Sequence, residues 1–310
     1  MSEFFTTSVL VATIASGVRL ATPFLLASLG EALGQRSGVL NLGVDGIMLL
    51  GAFFAYWTVL ETENLLLGVV VGALIGVAAG LVTAFISVTL RATQGISGIG
   101  VYLFGLGMSD LLFQRIIGTP RPIKSFGEID IPLLSDIPWF GEMFFQHSAA
   151  VYLAFALVPL MTLLLTRTQF GMNVRAVGEN PEAADSLGVS VTRIRYTTVI
   201  CGSMLAGIAG AALAIDLGIF QQNLTASMGF IAIALVYFGA WRPIGVMLGS
   251  LLYGLVNATV LQWKTLEIIP REASDLAAMA PAVITVVALV VVANRFQPPA
   301  ALTKPFSRSG

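Results

Sequence analysis

The stretch that decides the fold is LLLGVVVGALIGVAAGLVTAFISVTL, residues 65–90, which carries no charged side chain. An α-helix needs about 20 apolar residues to cross roughly 30 Å of hydrocarbon, where lipid offers the backbone no hydrogen-bond partner. This run therefore predicts a membrane-spanning helix. The whole chain agrees with it, because 56% of its 310 residues are hydrophobic and 11% are charged, whereas about 25% are charged in soluble domains.

Runs of this kind predict an all-α integral membrane protein, a bundle of about nine transmembrane helices with eight or ten as alternatives, in one polytopic domain over residues 1–310. They lie at residues 6–30, 38–60, 65–90, 95–114, 148–166, 196–216, 224–241, 243–262 and 276–293. Asp45 and Asp110 interrupt the second and fourth runs, which are also rich in glycine. Broken or re-entrant helices are therefore an alternative to simple spans there.

The basic residues predict the orientation, because they concentrate on the cytoplasmic side of short loops. An N-terminus outside and a cytoplasmic C-terminus put the larger group inside: Arg36, Arg91, Arg167, Arg175, Arg193, Arg195, Arg242, Arg295, Lys304 and Arg308. The smaller group, Arg115, Arg121, Lys124, Lys264 and Arg271, then lies outside. This orientation makes residues 115–147 an extracytoplasmic loop, 167–195 a cytoplasmic loop and 295–310 a cytoplasmic tail. The prolines and aromatic residues of the outer loop predict a compact cap that meets an external partner, with a solvated connector as the alternative.

A stripe of small residues marks the third run. Gly68, Gly72, Gly76 and Gly80 recur every four residues, so one face of the helix has no side chains and another backbone can approach it. Small residues at this spacing favour helix association in lipid. We predict a role in helix packing for them.

Four ionisable residues lie within or near the predicted spans, where a charge costs at least ~2.5 kcal/mol. Arg19 is mid-span, and Glu31 is near enough to the end of its run to reach the interface. Asp45, close to Asn41 in a glycine-rich segment, either lines or gates a pathway or makes an interhelical hydrogen bond. We regard Arg19, Asn41, Asp45 and Asp110 as candidate pathway or gating residues. The single histidine and the single cysteine are far apart, which argues against a catalytic or metal site and against a membrane enzyme.

The loop between the fifth and sixth runs reads GMNVRAVGENPEAADSLG, residues 171–188. Asn180 is placed to cap a helix that begins with Pro181 and Glu182, and Gly188 is placed to end it. The sequence thus predicts a short rigid knob able to dock on another protein. Its candidate docking residues are Gly171, Arg175, Gly178, Glu179, Asn180, Pro181, Ala183, Ala184 and Gly188.

This loop resembles the coupling helix of permease subunits of bacterial ABC importers in the branched-chain amino acid, ribose and nucleoside branch. Three further stretches resemble that branch: EALGQRSGVLNLGVDGIMLLGA at 31–52, GFIAIA at 229–234 and GAWRPIG at 239–245. The first is most similar to permeases of nucleoside and simple-sugar importers. The loop departs from the EAA motif of other importers, as members of this branch do, which leaves its docking residues open.

The resemblance implies a subunit of the bacterial inner membrane that forms the translocation pathway for a small polar solute. It implies three partners: an ABC ATPase subunit, a second permease subunit in a heterodimer, and an extracytoplasmic substrate-binding protein. No phosphate-binding loop of the form GxxxxGK[ST] occurs in the chain, so ATP and Mg are expected on the separate ATPase. The net charge of −1 gives no general attraction to nucleic acid. An ion-coupled secondary transporter, or a branched-chain amino acid as substrate, is the alternative.

Overall fold

A computed structural model describes residues 7–266, 268, 274–293 and 297–307, which form a helical bundle. The helices are α1 Thr7–Arg36, α2 Val44–Thr62, α3 Leu65–Ala84, α4 Gln94–Leu112, α5 Phe140–Phe144, α6 Ala149–Arg167, α7 Gln169–Glu179, α8 Pro181–Ser186, α9 Val191–Leu217, α10 Met228–Phe238, α11 Pro243–Thr265, α12 Ser274–Ala278 and α13 Ala280–Ala293. One π-helical turn follows α3, at Phe85–Thr89, and another follows α4, at Phe113–Ile117.

Seven helices of the described residues are long and apolar enough to cross a membrane: α1, α2, α3 and α4 with their π-helical turns, α6, α9 and α11. The predicted runs 224–241 and 276–293 instead form α10 and α13, of 11 and 14 residues. At 1.5 Å per residue these helices extend about 16 and 21 Å, less than the hydrocarbon thickness. The integral membrane class is thus supported by seven spanning helices, and the predicted count of about nine is not confirmed.

The spanning helices divide into a central and a peripheral group. More than half of the residues in the apolar windows of α1, α2 and α9 are buried, whereas α3, α4 and α6 bury less than a third. The peripheral helices expose large apolar side chains such as Leu66, Leu74 and Phe104. An apolar outer surface is what lipid requires, because hydrocarbon is as apolar as these side chains.

The glycine stripe of α3 lies against the central helices. All four glycines are buried, and a methyl group added to Gly76 would overlap the backbone carbonyl of Ser203 in α9. Gly207 of α9 in turn lies against the backbone of Gly72 and Gly76. The backbones of α3 and α9 therefore meet directly, as the spacing of the small residues predicts.

Irregular backbone joins helices at a buried corner and at a more exposed connection. Residues 37–43 join α1 to α2, and residues 218–227 join α9 to α10. Helices α2 and α4, for which the sequence left a broken form open, are continuous. The second predicted run, residues 38–60, becomes helical only at Val44. Most of its glycine-rich segment therefore forms a corner between α1 and α2 and not a kink within one helix.

Residues 118–148 form a loop that carries a small antiparallel sheet, the β1–β2 unit. Strands β1 Glu128–Asp130 and β2 Gln146–Ser148 pair antiparallel, with Ile129 opposite His147. The Tyr152 hydroxyl donates to the Ile129 carbonyl at 2.9 Å. The Ile123 amide donates to the Gly218 carbonyl at 2.8 Å, which ties this unit to the end of α9. Most residues of the unit are exposed, so the compact cap predicted for this loop is not confirmed.

Candidate functional site

The loop between α6 and α9 is a rigid two-helix unit. Thr168 caps α7, its Oγ1 accepting from the Gly171 amide at 3.1 Å. Asn180 caps α8, its Oδ1 accepting from the Ala183 amide at 3.0 Å, and Pro181 occupies the first turn. Gly188 follows α8 with a left-handed φ of 85°, which glycine adopts without steric cost. The predicted cap and stop are confirmed, and α7 is an additional helix.

Helix α7 packs one face on the bundle and presents the other outward. Val174 and Val177 are fully buried. Gly178 touches the backbone of α1, because a methyl group there would overlap the Arg36 carbonyl. The predicted docking residues therefore divide into two sets: Gly171, Gly178 and Ala184 are buried, whereas Arg175, Glu179, Asn180, Ala183 and Gly188 are exposed and Pro181 is half-buried.

A leucine that the sequence did not suggest as a docking residue is strongly exposed in this loop. Leu187, directly after α8, has 85% of its surface exposed. Met172 on α7 is 55% exposed. Burying an exposed leucine side chain in a pocket of a partner is worth about 1.5–3 kcal/mol, so Leu187 offers apolar surface to a docking protein.

The corner at residues 37–43 is held by a buried polar network. Glu31 Oε1 accepts from the side-chain amide of Gln35 at 2.9 Å and from the backbone amide of Asn41 at 3.0 Å. Gln35 Oε1 accepts from the Trp241 indole at 2.7 Å. Asn41 Oδ1 accepts from the Gly43 amide at 3.0 Å. Glu31 is thus buried inside the protein and does not reach the interface, because its carboxylate satisfies the irregular backbone beside it.

Asp45 joins α2 to the start of α10. Its side chain is fully buried, its Oδ1 accepts from the Gly229 amide at 2.7 Å, and its Oδ2 accepts from the Thr225 hydroxyl at 3.1 Å. The carboxylate therefore lies at the N-terminal end of a helix too short to span, where the helix dipole favours negative charge. Asp110 binds the connection between α9 and α10 at an exposed position, where its Oδ1 accepts from the Asn223 amide at 3.3 Å.

Arg19 lies apart from these acids, in a cavity at the end of the bundle near the β1–β2 unit. Its Nε is 3.9 Å from Asp216 Oδ2. The cavity has a volume of about 480 Å³, and its polar lining includes Glu128, Glu142 and Gln146. A smaller space of about 50 Å³ shares Arg19 and Asp216 and continues to Phe24, Met228 and Asn257. The structure thus groups Asp45 with Asp110 on one connection, and places Arg19 and Asn41 elsewhere.

A second cavity, of about 770 Å³, lies at the opposite end of the bundle. Arg36, Arg175 and Arg242 line it together with the α10–α11 corner. Arg36 and Arg19 are both in α1 and 17 residues apart, which is about 25 Å along a helix. Between the cavities the Phe24 and Tyr253 rings pack with centroids 4.6 Å apart. The bundle therefore has a polar cavity at the Arg19 end and a largely apolar cavity with three arginines at the other, with the Phe24–Tyr253 contact between them.

Within the described residues, no cluster of three or more His, Cys, Asp or Glu side chains is arranged to hold a metal ion. The two cavities, the half-length α10 and the rigid α7–α8 loop are features of a membrane transport subunit. They indicate a membrane permease.

Comparison with known proteins places the chain in a family. A model of the family described as the permease component of the branched-chain amino acid transport system matches residues 13–292, and the chain belongs to this family. It is 39% identical to a provisionally assigned glucose ABC transporter permease of Haloferax volcanii, TsgC13, over 81% of this chain and 77% of the relative. No solved structure matches the chain.

Two nucleoside permeases are similar along most of their length. The nucleoside ABC transporter permease NupC of Lactococcus lactis is 35% identical, with 90% of this chain and 91% of the relative covered. The guanosine ABC transporter permease NupQ of Bacillus subtilis is 32% identical, with 92% and 93% covered. Each of these organisms has a second, more distant relative of the same description, NupB and NupP, at 23% and 24% identity. The chain is thus an ABC transporter permease whose relatives include nucleoside and sugar permeases.

Proposed function

We propose that this chain forms half of the translocation pathway of an ATP-driven importer for a nucleoside or simple sugar. The glucose and nucleoside transport named for the relatives TsgC13, NupC and NupQ supports this class of solute. Family membership favours an ABC importer over an ion-coupled secondary transporter. The paired relatives NupC with NupB and NupQ with NupP support a heterodimer with a second permease chain.

The orientation that we propose has the N-terminus outside and the α7–α8 loop in the cytoplasm of a bacterium, with the bundle in the inner membrane. Arg36, Arg175 and Arg242 meet at one end of the bundle, and basic residues favour the cytoplasmic side. The cavity with Arg19 and Asp216 is then open to the outside, where a substrate-binding protein would deliver the solute.

The outer cavity suits a hydroxyl-rich solute. Carboxylate and guanidinium groups bind hydroxyl groups through charge-assisted hydrogen bonds, and Arg19, Asp216 and Glu128 provide both kinds of group in one space. Beneath them, Phe24 and Met228 line the smaller space with apolar surface. A nucleoside combines a polar ribose with an apolar base face, and we infer that this combination of surfaces receives it at the entrance.

The α7–α8 loop is proposed to seat on a separate ATPase subunit that binds ATP and Mg. The observation that carries this proposal is Leu187, 85% exposed on a capped element at the cytoplasmic end of the bundle. Burying a leucine side chain is worth about 1.5–3 kcal/mol. Leu187 is therefore expected to be an anchor residue of the interface.

The experiment is a titration of the ATPase subunit onto the purified permease pair in nanodiscs. Leu187→Ser should weaken ATPase binding about 10- to 100-fold. Leu133→Ser is the matched control, because Leu133 is almost as exposed, at 84%, and lies in the β1–β2 unit. Wild-type affinity of Leu187→Ser, or an equal loss with Leu133→Ser, would show that the ATPase does not bind at α8.

A further inference from the structure

The C-terminal segment, residues 297–307, lies on the α7–α8 loop. The Ala301 amide donates to the Gly178 carbonyl at 2.8 Å, and the Ala300 amide donates to Glu179 Oε2 at 3.4 Å. Ala301 is buried, and Phe306 packs against the apolar cluster that contains Val174 of α7. The segment is therefore docked along the same helix whose outer surface is proposed to meet the ATPase.

The other side of the C-terminal segment is fixed to the α1–α2 corner. The Thr303 amide donates to the Gly38 carbonyl at 3.1 Å. Arg195 of α9 donates from Nε to the Ser37 carbonyl at 3.2 Å and from Nη1 to the Lys304 carbonyl at 2.9 Å. A methyl group at Gly38 would come within 2.9 Å of both the Ala301 carbonyl oxygen and Arg195 Nη2. One arginine thus joins the segment to α9 and to the corner.

Arg195 is the reason to regard this attachment as specific. Its side chain is 1% exposed, and none of the described residues provides a carboxylate partner or a hydrogen bond to Nη2. A buried charge of this kind destabilises a protein unless hydrogen bonds compensate for its lost hydration. Here the compensating groups are the backbone carbonyls of Ser37 and Lys304, so Arg195 Nη1 has its acceptor only while the segment stays in place.

A groove of about 290 Å³ runs between the two elements. One wall is formed by Glu179, Asn180 and Glu182 of the loop, and the other by Lys304, Pro305 and Phe306 of the segment. We propose that the C-terminal segment and the α7–α8 loop form one composite docking surface for the ATPase, with the groove receiving a basic side chain of that subunit. This inference rests on the proposed function, because it assumes that an ATPase binds at this end.

The chemistry of the groove specifies the occupant. Among the residues that line the groove, Glu179 and Glu182 contribute two carboxylates against the single ammonium of Lys304. The excess of negative charge favours an arginine or a lysine of the partner. The outward side chains of Lys304 and Ser307 are exposed, so the segment can touch the partner while its backbone holds α7.

Two charge variants leave the backbone attachments intact and have opposite expected effects. Glu182→Lys should weaken ATPase binding about threefold to tenfold, and Lys304→Glu should strengthen it by a similar factor, as expected for charges at the rim of an interface. Glu61→Lys, at an exposed position at the other end of the bundle, is the control. The Lys304 carbonyl that accepts from Arg195 is unaffected by the side-chain change.

The same titration separates failure of this inference from failure of the proposed function. A photo-crosslinking residue at Ser307 should capture the ATPase, as should one at Leu187. Capture at Leu187 alone, with both charge variants at wild-type affinity, would overturn the composite surface and leave docking at α8 standing. Absence of capture at both positions, with wild-type affinity of Leu187→Ser, would overturn the proposed function itself.

Discussion

Asp45→Ala is the perturbation that best tests how the half-length helix α10 is held. Both carboxylate oxygens are used, one by the Gly229 amide at 2.7 Å and one by the Thr225 hydroxyl at 3.1 Å, in a fully buried site. Truncation leaves two buried donors without their acceptor. Each costs about 1–3 kcal/mol, so the loss is about 2–6 kcal/mol in total.

This loss is expected to be local, because Thr225 lies in the connection before α10 and Gly229 lies in the first turn of α10. A loss of 2–6 kcal/mol raises the population of the open state by a factor of about 30 to 10⁴. Hydrogen exchange measured by mass spectrometry on peptides covering residues 223–238 reports this opening. Asp45→Asn keeps an acceptor oxygen and should show a smaller increase. Asp110→Asn, whose bond to Asn223 lies at an exposed edge, should show the least.

Unchanged exchange in residues 223–238 of a folded Asp45→Ala protein would refute this reasoning, provided that peptides from α9 remain protected. The result also separates the two roles that the sequence left open for Asp45. A structural acceptor increases local opening when it is removed. A residue that only lines the pathway would reduce solute uptake and leave exchange unaltered.

The remaining predictions concern the outer cavity and the glycine stripe. Arg19→Ala and Asp216→Asn should each reduce solute uptake without reducing ATPase binding. They should change the free energy of unfolding by less than about 1 kcal/mol, because the pair is partly exposed. Normal uptake by both variants would exclude this cavity from the pathway. Gly76→Val should lower the stability by at least about 1–3 kcal/mol in a thermal unfolding assay, because the new side chain overlaps the Ser203 carbonyl. Gly107→Val, at a position with open space, is its control, and equal losses in the two variants would contradict backbone contact between α3 and α9.

The parts of the fold that the sequence predicts correctly are those set by lipid or by neighbouring residues. A helix that faces hydrocarbon must be apolar throughout, so α3 is evident from residues 65–90 alone. The cap of α8 depends on Asn180 and the residues directly after it. The stripe of glycines in α3 depends only on helix geometry. Each of these features is encoded within one or two turns of the chain.

The parts that the sequence does not reveal depend on distant contacts. Residues 224–241 are apolar enough for a span, but hydropathy does not distinguish a side chain facing lipid from one packed inside protein. The structure starts α10 only at Met228, where Asp45, 184 positions before Gly229, accepts from the Gly229 amide in the first turn of the helix. In the sequence, Arg195 resembles any other arginine of the predicted cytoplasmic loop. Only the structure reveals its hydrogen bonds to the carbonyls of Ser37 and Lys304.

Helix α10 is held near both ends by hydrogen bonds to other helices, to α2 at its start and to α1 beyond its end. At its start the Gly229 amide binds Asp45 of α2. Just beyond its end, Trp241 donates from its indole to Gln35 of α1 at 2.7 Å, and the Trp241 carbonyl accepts from Arg36 at 3.0 Å.

Arg36 is also the residue whose carbonyl lies against Gly178 of α7, with no room for a methyl group between them. A close-packed contact transmits displacement because it has no void to absorb it. A movement of α7 toward the bundle must therefore shift the end of α1 and, through Trp241, the end of α10. The α7–α8 loop and the end of the half-length helix are thus connected through Gln35 and Arg36 in the last turn of α1.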